Sequence, residues 1–234
     1  LLQVRMAKAQ LLNDDKLARY RVTNAPSSVY YIPEFISKDE EEALLNEIYM
    51  APKPKWDVLL NRRLMNYGGI VGKKSLIAID DFPPLLRALM NRVSEFLTRP
   101  LNHALVNEYL PGQGIMAHTD GPVFLPVITT ITLGSHTVLD LYDPVDVNGV
   151  SSCEERRLGG MLLDRRSLVV ITQSVYHKIL HGICERMEDT IDHSIWNGEG
   201  RRGDVILRGT RISLTLRIVE KVTTRAISML GGRV

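Results

Sequence analysis

Arg211-Ile212-Ser213-Leu214-Thr215-Leu216-Arg217-Ile218 alternates polar and apolar residues without a break. Successive side chains of a strand point to opposite faces, so this period of two specifies a half-buried β-strand. It excludes a helix, whose apolar positions recur every three or four residues. One face carries Ile212, Leu214, Leu216 and Ile218 and has to lie on a core. The other carries Arg211, Ser213, Thr215 and Arg217. That face can lie in water as the outer side of an amphipathic strand. It can equally wall a pocket for a dicarboxylate, because guanidinium groups bind carboxylates bidentately and hydroxyls serve the remaining acceptor positions. The alternation alone leaves both open.

The rest of the chain reads as α+β and mainly β. Its 234 residues can bury one substantial core, consistent with a single domain. Residues 1–28 are polar and mixed and are expected to be a tail with one short helix; Leu1 to Arg5, ahead of the first methionine, read as an appendage. Residues 29–234 form the domain. Val29-Tyr30-Tyr31-Ile32 has strand character. Ser37-Lys38-Asp39-Glu40 is a capping box, with Ser37 as cap and Glu40 reaching back, so a helix should run to about Tyr49 before Pro52 and Pro54. Pro83-Pro84 opens a second helix with Leu85, Leu86, Leu89, Met90, Val93, Phe96 and Leu97 as its buried stripe. Short strands then dominate, at 103–109, 127–133, 136–142, 160–164, 167–173, 176–182 and 212–219. Strands following helices in this order suggest a β-sandwich with the helices packed on it. Two segments, 144–159 and 185–203, read as weakly structured insertions, long enough to be functional or mobile.

Composition narrows the setting. The formal charge of +2 is compatible with nucleic-acid binding without pointing to it. Cys153 and Cys184 have no metal-type spacing, so a disulfide scaffold is not expected and a reducing, intracellular compartment is. No apolar run reaches membrane-spanning length.

The second chemical signal is His118-Thr119-Asp120. On an extended strand the imidazole and the carboxylate would project to one side. With one more histidine they would make a 2-His-1-carboxylate set, which binds one face of Fe(II) and leaves positions open. An H-x-D tripeptide also arises by chance. Five other histidines could complete the set: His103, His136, His177, His181 and His193. His177 and His181 share strand parity and would stand about 13 Å apart, so both cannot join His118 on one ion.

Taken in order, Asn107-x-Tyr109, His118-x-Asp120, Leu180-His181-Gly182 and Arg211-x-Ser213-x-Thr215-x-Arg217 resemble the AlkB-homologue family of Fe(II)/2-oxoglutarate-dependent dioxygenases. The wording of 106–116 and 132–140 carries the same resemblance. It implies a double-stranded β-helix, or jelly roll, over 103–219, with the N-terminal helices packed on one sheet. It implies Fe(II) held by His118, Asp120 and His181, the last chosen because the family ligand sits in a histidine-glycine pair. It further implies 2-oxoglutarate and O2 as co-substrates, with 2-oxoglutarate held by Asn107, Tyr109, Arg211, Ser213 and Arg217. Ser213 departs from the asparagine of the bacterial founder and can still give one hydrogen bond.

By the same resemblance, 55–79 would be a lid over a methylated nucleotide of RNA or DNA, with Trp56, Arg62, Arg63 and Tyr67 as candidate substrate contacts; without it, the segment reads as a surface hairpin. The expected activity is oxidative demethylation of nucleic acid by a monomer in the nucleus and cytoplasm, with no membrane partner. Two rivals remain: a methylated-nucleic-acid binding protein with little catalytic activity, and a dioxygenase acting on protein or small molecules.

Overall fold

The computed structural model describes residues 10–144 and 152–224. Two antiparallel sheets face each other. The larger runs Val29–Ile32, Leu168–Thr172, Val127–Leu133, Arg211–Arg217, His103–Tyr109, Arg62–Tyr67, Asp57–Leu59 in spatial order. The smaller runs Arg157–Leu163, Thr137–Tyr142, Leu180–Ile183, Ile115–His118. This is the expected jelly roll. Two lesser sheets sit at its margins, one of them pairing Val222–Thr224 parallel to Leu76–Ala78. Among the described residues no helix is long and apolar enough to cross a membrane.

The alternation of Arg211–Arg217 decides how the layers stack. Ile212, Leu214 and Leu216 are fully buried in one core with Leu44, Ile48, Leu86, Leu89, Met90 and Val93 of the two helices Lys38–Tyr49 and Pro84–Ser94. The helices therefore cover the outer face of the large sheet. Arg211, Ser213, Thr215 and Arg217 turn to the other face and are buried as well. The water-facing alternative is thus excluded. A second core, with Tyr109, Leu139, Leu141, Met161, Leu163, Val169 and Ile171, fills part of the space between the sheets.

The helix signals hold in detail. Ser37 Oγ accepts from the Glu40 N–H at 3.1 Å, and Glu40 Oε2 accepts from the Ser37 N–H at 2.7 Å. Leu85, expected in the buried stripe of the second helix, is instead exposed, and Phe96 lies beyond that helix, half-buried.

Three expectations need correction. First, 176–182 is not a continuous strand: Gln173–Lys178 forms a short helix, and the strand is Leu180–Ile183. Val175 and Tyr176 are buried from that helix, which leaves His177 exposed. Second, 185–203 is not weakly structured. Glu188–Thr190 pairs with Val205–Leu207, and Ile191 and Ile195 pack on Val138 and Leu162. Asp189 is fully buried there and accepts two hydrogen bonds from Arg208, at 2.7 and 2.8 Å. Third, the N-terminal stretch is not a loose tail from residue 10 onward. Helix Asp14–Leu17 brings Leu17 into the helix-side core, and Leu12 bridges to Leu97. Residues 1–9, 145–151 of the first insertion and 225–234 lie outside the described residues.

Candidate active site

The sheets open onto a cavity of about 720 Å³. His118, Asp120, His181, Asn107, Tyr109, Arg211, Ser213, Arg217 and Arg62 all line it. Residues far apart in the chain meet there because the strands that carry them are neighbours.

His118 and His181 are direct cross-strand partners, and their rings stand 4.5 Å apart between centroids. Gly182 permits this pairing. The ladder slips by one residue between the pairs His181–His118 and Ile183–Ile115, and a Cβ on Gly182 would lie 3.0–3.1 Å from backbone atoms of Ile115 and Ala117. The histidine-glycine pair is thus a packing requirement of the bulge. The Ile115–His118 strand ends at His118, so Asp120 does not reach the site by strand parity as expected. It is held instead by Arg217, whose Nη2 donates to Asp120 Oδ1 at 2.5 Å. Asp120 Oδ2 then stands 3.7 Å from His181 Nε2. Tyr176 pins the loop beyond by donating to the Gly121 and Phe124 carbonyls.

The protonation states follow from the contacts. His118 Nδ1 lies 2.8 Å from the Met116 carbonyl, which can only accept. Nδ1 therefore carries the proton, and Nε2 keeps a lone pair. Burial, reinforced by neighbouring His118, pushes His181 down to about 4 against the pull of Asp120, so its imidazole is neutral near pH 7. Two neutral imidazoles and one carboxylate oxygen are the donor chemistry of a divalent-metal site. The orphaned polar atom fits it too: Asp120 Oδ2 is buried with no hydrogen-bond partner. Cis donors at about 2.1 Å from one ion stand about 3 Å apart, so 3.7 Å requires a small inward shift. Among the described residues no cluster of three or more His, Cys, Asp or Glu side chains stands as a ready metal cage.

Arg211 is the second unsatisfied group. Its Nη2 donates to Thr132 Oγ1 at 3.0 Å, while Nε and Nη1 have no partner among the described residues. Burial pushes this guanidinium down to about 10. A buried cation with free donors, facing a cavity, is built for an anion. Arg211 is paired in register with Tyr109, and Ser213 with Asn107, so these four side chains form one patch of the cavity wall. Burial also raises the Tyr109 hydroxyl, which stays protonated as a donor. Arg217 lies over the Phe124 ring, 4.7 Å from its centroid.

Sequence reasoning missed Thr132 and Phe124. Thr130 and Thr132 share parity on Val127–Leu133, so a polar face was readable there; Phe124 carried no pattern. The competing histidines lie elsewhere. His136 stands 3.3 Å from Asp189, His193 is exposed, and His103 is buried beside Asn66.

The 55–79 segment is a hairpin that extends the large sheet, with its tip at Leu60 and Asn61. Of its four candidates only Arg62 reaches the cavity. Arg63 is bound bidentately to Glu108 and stacks on Trp56 at 4.3 Å, and Trp56 packs against the helix-side core. Tyr67 is buried in that same core, under Lys55. Alternation explains the split: Arg63, Met65 and Tyr67 share the helix-facing parity, and Arg62 has the other.

Two facing sheets around paired histidines, an aspartate and a buried arginine are the architecture of the jelly-roll 2-oxoglutarate oxygenases. Comparison with solved structures agrees on the fold: an oxidoreductase of the 2OG-Fe(II) oxygenase family from Burkholderia pseudomallei superimposes with a TM-score of 0.56 at 9% identity, covering 88% of this chain and 94% of that one. The structure of OsALKBH1 does so with a TM-score of 0.52 at 14% identity, covering 83% and 99%. No protein-family model matches. Among curated relatives, the protein named probable RNA/DNA demethylase ALKBH6 of Danio rerio is 44% identical over 226 residues, 93% of this chain and 96% of the relative. The chain belongs to the AlkB-homologue family of Fe(II)/2-oxoglutarate-dependent dioxygenases.

Proposed function

We propose that this chain is an AlkB-type dioxygenase that oxidatively demethylates nucleic acid, with Fe(II) held by His118, Asp120 and His181. The observation that carries the reading is the shared cavity: a buried carboxylate oxygen without a partner and a buried guanidinium with two free donors line the same space. The relative named as a probable RNA/DNA demethylase supports the substrate class.

When bound, iron with 2-oxoglutarate and O2 supplies an oxidative decarboxylation to succinate and carbon dioxide coupled to hydroxylation of a substrate C–H bond, and an N-hydroxymethyl product then releases formaldehyde. The chain's own residues prepare this in three ways. His118 is held by the Met116 carbonyl with Nε2 free, and His181 is kept neutral by burial, so neither must lose a proton to act as a ligand. Arg217 neutralises one oxygen of Asp120 and leaves the other for the metal. Arg211 takes the distal carboxylate of 2-oxoglutarate, while Asn107, Tyr109 and Ser213 supply neutral hydrogen bonds beside it. The apolar wall of Ile128, Leu139, Leu163, Ile171 and Ile183 limits water around these charges.

The test is conversion of 2-oxoglutarate to succinate by the Fe(II)-loaded protein with a panel of methylated oligonucleotides, read by loss of one methyl mass. His118→Ala and Asp120→Ala are expected to abolish succinate formation. Undiminished turnover in either variant would remove the metal assignment, and turnover without any methyl loss would remove the nucleic-acid substrate.

A further inference from the structure

Arg62 opens the second arm of the 55–79 hairpin, and its Nε donates to Asn107 Oδ1 at 3.2 Å. A guanidinium has five donors and no acceptor. The end of the Asn107 amide that meets Arg62 is therefore its oxygen. The amide nitrogen is turned the other way, and among the described residues no protein acceptor takes its hydrogens. Asn107 lines the cavity with Ser213 as its cross-strand partner.

Without Arg62, nothing else in the described contacts of Asn107 distinguishes the two ends of its amide. Half of the side-chain states would then present a carbonyl oxygen to the incoming carboxylate. Arg62 also differs from its neighbour: Arg63 is engaged by Glu108, whereas no carboxylate pairs with Arg62 among the described residues. The hairpin tip is anchored separately across the cavity mouth, by Asn61 donating to Glu185.

We infer that Arg62 is a positioning residue for the keto acid: it locks the Asn107 amide with its N–H donors toward the 2-oxoglutarate carboxylate. Binding of the co-substrate is thereby coupled to the hairpin. This rests on the 2-oxoglutarate reading given above.

The test is calorimetric titration of 2-oxoglutarate into the full chain loaded with Mn(II) under argon, where no turnover occurs. Arg62→Ala is expected to raise Kd about tenfold, the effect of one well-placed hydrogen bond to a charged group. Because Arg62 acts through Asn107, the double variant Arg62→Ala/Asn107→Ala should bind no more weakly than Asn107→Ala alone. Arg62→Lys, which keeps one donor, should recover Kd to within about threefold of the wild type. It also completes the cycle at smaller amplitude should Arg62→Ala fail to fold. Multiplying effects of the two single variants would overturn the inference, since Arg62 would then act independently of Asn107. So would an Arg62→Ala Kd equal to the wild type's. A wild-type protein that does not bind 2-oxoglutarate at all would instead overturn the co-substrate reading, and this inference with it.

Discussion

Replacing Arg211 by Met should make the ligand-free protein more stable and at the same time deprive it of its co-substrate. Methionine keeps much of the length of the side chain and loses the charge. In the folded chain burial lowers the Arg211 pKa from 12.5 to about 10. At about 1.4 kcal/mol for each tenfold change in proton affinity, that drop corresponds to a folding cost of roughly 3 kcal/mol. For a base with a depressed folded pKa, the unfolded state binds more protons between pH 10 and 12.5. The cost is therefore present in full below pH 10 and fades only as pH rises toward 12.5. The hydrogen bond to Thr132 offsets about 1 kcal/mol of it. Arg211→Met should accordingly gain about 2 kcal/mol, or roughly 4–8 °C in Tm for a chain of this size. Removing one partner of a desolvated ion pair costs about 2–5 kcal/mol, so the Kd for 2-oxoglutarate should rise by a factor on the order of 10² to 10³. Thermal melting with Mn(II), with and without 2-oxoglutarate, reads both effects. The wild type should shift upward with the keto acid, and the variant should start higher and not move. A variant that melts below the wild type without 2-oxoglutarate, or one that keeps the full ligand shift, would refute the reasoning.

Two further substitutions address the frame around the site. Glu41 is buried and bridges Arg165, Arg166 and the Gly134 N–H, joining the first long helix to two turns of the large sheet. Both arginines reach solvent, so Glu41→Gln should cost about 2–3 kcal/mol rather than the full loss of a buried pair, measured as a lower urea midpoint; an unchanged midpoint would count against the bridge. His103, kept neutral by burial and by the nearby Arg217, titrates at about 4 in the folded chain, against 6.5 for an imidazole free in water. The unfolded chain binds the extra proton between those values, so stability is expected to drain away as pH falls from 6.5 to 4. His103→Gln should shrink the difference between urea midpoints measured on either side of that window; the wild-type difference persisting unchanged would place the acid sensitivity elsewhere.

What could be read from the sequence followed from how locally each signal acts. The capping box at Ser37 and the alternation of 211–218 are instructions carried by neighbouring residues, and both appear as written. The alternation could not say that both faces of that strand would be covered, because the second cover comes from a sheet assembled out of distant strands. The same limit explains the misplaced contacts. Trp56, Arg63 and Tyr67 have side chains suited to stacking on a base, but which parity of a hairpin faces the cavity depends on how it pairs with His103–Tyr109. The helix Gln173–Lys178 escaped notice because its buried residues, Val175 and Tyr176, are adjacent and give neither a helical nor a strand period. Asp120 comes to the site through an ion pair formed 97 residues away rather than through strand geometry, and no local pattern encodes that.

The strand Arg211–Arg217 is where fold and chemistry become a single problem. Its even-numbered side chains fasten the helices, so it cannot move without disturbing the main core. Its odd-numbered side chains place two guanidiniums a fixed distance apart, one held to Asp120 and one with free donors. With Arg62 added, three guanidiniums face one carboxylate around the cavity. A divalent ion alone would increase that imbalance, whereas a dicarboxylate reduces it. The charge pattern therefore favours entry of metal and keto acid as a complementary pair. Each arginine has a different task in this arrangement: Arg217 conditions the metal ligand, Arg211 holds the far carboxylate, and Arg62 sets the amide that lies between them. Rigid spacing along one buried strand makes the first two tasks compatible, since neither guanidinium can swing to take the other's partner without pulling apolar side chains out of the helix-side core.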